Sequence, residues 1–159
     1  MNRQVQTRLF QDIRNHGIEI AVNRTPPIVG DDIVIDLRSI GSGKAPIDLF
    51  RVLLQTADAI GHESFSRVTL ATRGDPRFVI AGEEFRTFGA EYHAGQNPIY
   101  LVRTFPERLF DPKTGKQRFA SWTGGILGVL AKQMEDFGGF IRVWVSGVGA
   151  VSDDIGTAG

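Results

Sequence analysis

The stretch IVIDLRSIGSGKAPIDLFRVLLQTADAI, Ile33–Ile60, contains the two clearest structural signals of the chain. Its first five residues, Ile33–Leu37, are mostly β-branched or apolar and predict a strand. Its second half predicts a helix, because Pro46 suits the first helical position and Gly61 follows the last one. Apolar residues cover most of the predicted helix Ile47–Ile60, so we expect it to lie at the centre of the core.

Strand signals outside this stretch come mainly in pairs. Ile18–Val22 alternates like a short strand and could form a hairpin with the strand that starts at Ile33. Arg67–Thr72 and Arg77–Ile80 flank a predicted turn at Arg73–Pro76. Two more strands are predicted at Pro98–Val102 and Phe140–Val145, and helices at Asn2–His16, Glu83–Tyr92 and Ile126–Phe137, the last with Ile126, Leu127, Leu130, Met134 and Phe137 on one side and Gly138-Gly139 as its end.

Consecutive strand pairs favour antiparallel or mixed pairing with helices packed on the sheet, which is the α+β class. We expect a single globular domain over residues 1–145, with about five to seven strands and three to four helices. A flexible tail is expected over 146–159, where small residues follow one another without a period. The last strand, Phe140–Val145, would then form an exposed sheet edge that allows a homodimer.

Composition narrows the functional classes. The 18 basic and 18 acidic residues balance, which argues against a strongly basic nucleic-acid-binding domain. The chain has no cysteine, so disulfides, thiolate metal sites and cysteine nucleophiles are excluded. The polar first ten residues lack the apolar centre of a signal peptide, and no apolar run approaches the roughly 20 residues of a membrane span. We therefore expect a cytoplasmic protein without membrane contact.

The segment Arg103–Trp122 is the main candidate for function. It has two prolines, no sustained period, and an excess of basic over acidic residues. Long charged loops with aromatic residues often carry function on a scaffold. Its candidate binding residues are Arg103, Arg108, Lys113, Lys116, Arg118 and Trp122.

Three interpretations of this loop remain open. Arginine and aromatic residues are enriched at protein interfaces, which indicates a protein-binding module such as an adaptor, a small chaperone or an inhibitor. Interleaved cations and aromatic rings also suit single-stranded nucleic acid, although this binding is not expected from the overall charge. The structural alternative is a hairpin that turns at Asp111–Gly115 and buries Phe105, Leu109 and Phe119.

A second hypothesis is phosphate or nucleotide recognition. The glycine-rich turn with Gly43 and Lys44 leads from a strand to a helix N-terminus, an arrangement that suits an anion. It departs from a phosphate loop because Arg38 replaces the first glycine and Ala45 replaces the hydroxyl residue. A second possible anion site is Arg118–Gly125, before the next helix.

No catalytic constellation is predicted. The histidines His16, His62 and His93 show no metal-ligand spacing, and the adjacent acidic pairs point in different directions on a strand or helix. His93 is the only histidine beside both a carboxylate and an aromatic ring. The sequence therefore favours a binding protein over an enzyme, without a metal or a cofactor.

Overall fold

A mixed sheet of four strands organises the fold in this computed structural model, which describes residues 1–149 of the chain. Residues 150–159, which make up most of the predicted tail, lie outside the described part. The strands are β1 (Ile18–Arg24), β2 (Asp32–Ile40), β3 (Arg67–Thr72) and β4 (Asp75–Ala81). The helices are α1 (Asn2–Phe10), α2 (Pro46–Ile60), α3 (Gly82–His93), α4 (Pro98–Leu101) and α5 (Ile126–Val145), with 3₁₀ turns at Ile13–Asn15 and Pro106–Arg108.

The strand order is β1-β2-β3-β4. The outer pairs β1/β2 and β3/β4 are antiparallel hairpins, and β2 and β3 pair in parallel across the connection made by α2. This arrangement confirms the α+β class and the mixed sheet. The predicted five to seven strands were too many, since the described residues form four, and there are five helices rather than three to four.

The two predicted strands that are missing from the sheet are helical. Pro98 begins the short helix α4, and Asn97 caps it by accepting the Ile99 N–H at Oδ1 (2.9 Å). Phe140–Val145 is the last part of α5, which continues through Gly138-Gly139 without a break. A glycine costs about 1 kcal/mol in a helix relative to alanine, and here the buried apolar stripe of the helix outweighs that cost.

A group of aromatic side chains joins the helices to the sheet. The Phe105 ring lies 5.0 Å from Phe50 of α2, 5.1 Å from Phe88 of α3 and 5.3 Å from Phe140 of α5, between ring centroids. Phe140 in turn lies 5.4 Å from Phe78 of β4. Because these rings are almost fully buried, Phe105 belongs to the core although it lies in the 103–122 loop.

Both edges of the sheet are covered by other parts of the chain. At β1, the Asn2 side chain accepts the Val22 N–H (3.0 Å) and the Gln6 side chain donates to the Ile20 carbonyl (2.7 Å). At β4, the backbone of Val79 exchanges two hydrogen bonds with Phe110. The prediction of an exposed edge strand at 140–145 was therefore wrong. Those residues form a helix, and other strands form the edges of the sheet.

The described residues contain no helix that is both long enough and apolar enough to cross a lipid bilayer.

Candidate functional site

The 103–122 loop begins with a buried anchor. Phe105 and Leu109 are 1% and 0% exposed, and the 3₁₀ turn between them starts at Pro106. Phe119 is half-buried, with its ring 6.1 Å from that of Phe78. The three side chains that were expected to pack inward therefore do so, and they hold the ends of an exposed segment.

Between these anchors lies a hairpin, called here the basic hairpin (Arg108–Phe119). The Asp111 N–H donates to the Lys116 carbonyl (2.8 Å), and the Asp111 side chain accepts the N–H groups of Lys113 (2.8 Å) and Thr114 (2.9 Å). These backbone hydrogen bonds, from Thr114 and then Lys113, lower the pKa of the Asp111 carboxyl. The turn predicted at Asp111–Gly115 is formed, and through Phe110 it extends the sheet beyond β4.

Two of the candidate cations are held by the fold. The Arg103 Nε donates to Gln133 Oε1 of α5 (3.2 Å), and its guanidinium lies over the Tyr100 ring at 5.8 Å. Arg108 forms an ion pair with Glu84 of α3 (3.5 Å). These contacts use both arginines to attach the loop to neighbouring helices.

The other three cations face solvent. Lys113, Lys116 and Arg118 are exposed, and within residues 1–149 none of them forms an ion pair. The Arg118 guanidinium lies 5.1 Å from the centroid of the neighbouring Phe119 ring. The basic hairpin thus presents three exposed positive charges that form no ion pair with the described part of the fold.

Trp122 is half-buried against α5. Its Nε1 donates to Asp136 Oδ2 (2.7 Å), and Lys132 Nζ lies 4.4 Å from its ring centroid. The segment from Phe119 to Trp122 therefore runs back along α5 before the helix begins.

The first turns of α5 project from the body of the protein. Residues 123–128 are all exposed, and the first buried residue of the helix is Gln133, about 10 Å along the axis from Ile126. Ile126 and Leu127 are 77% and 82% exposed. We call Ile126–Gly128 the helix tip.

The sequence grouped Ile126 and Leu127 on one side of the helix with Phe137, yet Phe137 is buried and these two residues are exposed. They continue the same apolar period as Phe137 and Phe140, so the pattern contains no sign of where the core ends.

The predicted anion site lies at the start of α2. Lys44 Nζ donates to the Arg14 carbonyl (2.9 Å), and the Asp48 carboxylate accepts the Ala45 N–H (2.8 Å) as a cap. Gly43 lies in the turn with φ +78°. The Asp48 cap occupies one of the amides that an anion would need, so the turn is closed by the chain's own carboxylate.

The second predicted anion site has an open backbone. At Gly124 and Gly125, no heavy atom outside the two neighbouring residues lies within 4 Å of the position that a Cβ would take.

Among residues 1–149 no group of three or more histidine or acidic side chains is arranged to hold a metal ion.

No protein-family model matches this chain, and neither a curated protein nor a solved structure matches it. Its function is therefore inferred from the geometry of the candidate sites.

Proposed function

We propose that this protein binds another protein through the exposed part of its 103–122 loop and the adjoining helix tip. The observation that carries the proposal is the pair Ile126 and Leu127, which are consecutive and exposed on the first turn of a helix that buries residues from Gln133 onward. Large apolar side chains grouped on a rigid exposed element are typical of protein-binding surfaces.

Charge indicates the chemistry of the partner. Lys113, Lys116 and Arg118 present positive charge on the basic hairpin, which comes before the half-buried Trp122 in the same loop. The partner surface that complements them is acidic and contains an apolar pocket for the helix tip. Apolar contact then provides most of the affinity, and the charges raise the rate of association and fix the orientation.

A shallow cavity of about 270 Å³ lies under the turn of the basic hairpin, between Arg67, Val79 and Phe110. Its volume is enough for one apolar side chain of a partner. This cavity extends the proposed surface from the hairpin onto the outer face of the sheet.

The test compares capture of partners by the intact protein and by three variants in lysate of the native host. The helix-tip variant is Ile126→Asp with Leu127→Asp, and the charge variant replaces Lys113, Lys116 and Arg118 by Glu. The matched control is Ile28→Asp with Val29→Asp, since that pair is also exposed (95% and 69%) but lies in the β1–β2 connection.

We expect one partner to be retained by the wild type and the control and lost by both loop variants. Its binding, measured afterwards with the purified partner, weakens as salt is raised. The proposal is contradicted if all four proteins capture the same partners equally, or if the purified partner binds both loop variants as tightly as the wild type.

A further inference from the structure

A second concave region lies between the N-terminal elements and the end of α3. Its volume is about 660 Å³, within the range of small-molecule sites, and its walls come from α1, the 3₁₀ turn at Ile13–Asn15, α2 and residues 92–99. No residue of the basic hairpin or the helix tip lines it. We call it the arginine cleft, and it is separate from the proposed protein-binding surface.

Three guanidinium groups converge on this cleft from three different elements, namely Arg8 of α1, Arg14 of the 3₁₀ turn and Arg51 of α2. Two of their neutralising carboxylates lie elsewhere. Asp12 and Asp48 pair with Arg14 and Arg51, yet neither of them lines the cleft. Asp58 does line the cleft, so its lining carries three guanidinium groups and one carboxylate.

Arg51 forms the floor of the cleft. It is 3% exposed, and its Nη2 donates to Asp48 Oδ1 (2.6 Å). Its Nε is buried without a hydrogen-bond partner, at 3.9 Å from Asp12 Oδ2. Burying a permanently charged group is costly, and an unsatisfied buried donor is rare in folded proteins, so an apolar residue would serve a purely structural role better.

A hydrogen-bond network fixes the groups around this floor. The Gln55 side chain donates to Asp12 Oδ2 (2.8 Å) and to the Tyr92 hydroxyl (3.1 Å), and it accepts from Asn15 (2.6 Å). Arg14 contacts Asp12 through two nitrogens at 2.9 and 2.7 Å. Because these side chains are already ordered, a ligand would lose little affinity to ordering them.

The rim of the cleft combines polar and apolar groups. His93 Nδ1 lies 3.0 Å from Asp58 Oδ1, and the same carboxylate pairs with Arg8 at 3.6 Å. Ile47 and Ile99 contribute an apolar wall. A ligand that fills this space therefore carries both an anionic group and an apolar part.

We propose that the arginine cleft binds a small molecule with a carboxylate or phosphate group, held by Arg14 and Arg51 with its apolar part against Ile47 and Ile99. Guanidinium groups suit both anions, because each has five N–H donors and Arg14 and Arg51 give only some of them to Asp12 and Asp48. The anion site predicted from the sequence at Lys44 lies close to the arginine cleft. Lys44 Nζ and Arg51 Nη2 both donate to the Arg14 carbonyl oxygen.

The experiment is an NMR titration of the full chain that follows the arginine Nε–Hε signals. Inorganic phosphate is added in one series and succinate in a second, at constant ionic strength, so that the two anion chemistries are distinguished. We expect saturable shifts of the Arg51 and Arg14 signals with at least one probe, while the Arg3 signal does not move.

Variants then locate the binding. Arg14→Gln should weaken it about tenfold or more, the loss expected for a charge-assisted contact, and Arg8→Gln should weaken it less, because Arg8 lines the cleft without holding the anion. Arg3→Gln is the matched control, because Arg3 lies on the same helix as Arg8 but outside the cleft. Arg8→Gln is included because replacing Arg14 also removes its hydrogen bonds to Asp12, whereas replacing Arg8 leaves those bonds in place.

The proposal is overturned by any of three outcomes: no saturable shift with either probe, equal weakening in Arg3→Gln, or shifts that appear at all exposed arginines alike.

Discussion

The indole Nε1 of Trp122 donates a hydrogen bond to Asp136 Oδ2 at 2.7 Å, and this contact joins the end of the 103–122 loop to the third turn of α5. The loop is therefore partly architecture and partly surface. Its ends are held by the core and by Trp122, whereas the basic hairpin and the helix tip remain in solvent.

We predict that Asp136→Asn loosens this attachment. The hydrogen bond loses its charged acceptor and lies in a half-buried position, so the free energy of unfolding should fall by about 1 kcal/mol or less. Hydrogen exchange of residues 119–125 should rise much more than that of the sheet. Glu135→Gln is the control, since Glu135 is exposed beside it and forms no ion pair among residues 1–149. Unchanged exchange at 119–125 would show that the contact does not hold the loop.

The contact between α2 and α3 predicts a large effect at Gly89. A Cβ placed there would lie 2.5 Å from the carbonyl carbon of Ala57, so Gly89→Ala must push the two helices apart. We expect a loss of about 1–3 kcal/mol in unfolding free energy, measured by urea denaturation.

Gly128→Ala is the matched control for that substitution. Gly128 is also helical, but outside its own helix backbone a Cβ there would meet no heavy atom within 4 Å, so alanine should stabilise the helix by up to about 1 kcal/mol. Equal effects of the two substitutions would contradict the close packing at Gly89.

The cover of the β1 edge by α1 predicts a change in self-association. Replacing Asn2 and Gln6 together by alanine leaves the Val22 N–H and the Ile20 carbonyl without these side-chain partners, on an edge that can pair with another chain. We expect a higher average mass in light scattering at raised protein concentration. Gln11→Ala, which changes an exposed glutamine just after the same helix, should leave the mass unchanged.

Asp12 predicts a pH dependence of stability. The hydrogen bond from the Arg14 side chain, supported by that from Gln55, holds the pKa of Asp12 well below its usual range despite the opposing effect of burial. Since the folded pKa is depressed, the contribution of this carboxylate is complete above the unfolded pKa, about 3.9, and declines as the pH falls below it.

Asp12→Asn should therefore lower stability at pH 7 and reduce the further loss on going from pH 5 to pH 3, measured by urea denaturation at each pH. Glu91→Gln is the control, because Glu91 is exposed and forms no ion pair in the described chain. A pH profile of Asp12→Asn that parallels the wild type would contradict the assignment.

Local signals were sufficient for the two hairpins and the central helix. The turn between β3 and β4 places Arg73 and Gly74 at φ +48° and +84°, a conformation that its glycine favours, and the strands on either side alternate correctly. Helix α2 was predictable because its apolar residues extend around most of its circumference, as a helix buried on several sides requires.

The same local signals failed at Phe140–Val145. This short run of aromatic and β-branched residues suits a strand as well as a helix. Contacts with β3 decide between them: Trp144 Nε1 donates to the Ala71 carbonyl (3.0 Å), and the Thr72 hydroxyl donates to the Trp144 carbonyl (2.5 Å). Such contacts join residues that are far apart in sequence, and periodicity does not report them.

The candidate sites also combine features that the sequence shows with features that only the folded chain shows. The positive charge and aromatic content of the 103–122 loop were visible in the chain, because they follow from composition within one segment. Which cations are exposed, where the apolar stripe of α5 leaves the core at Ile126, and how Arg8, Arg14 and Arg51 meet in one cleft depend on the packing of separate elements. Composition is a local property, whereas exposure and convergence are properties of the folded chain.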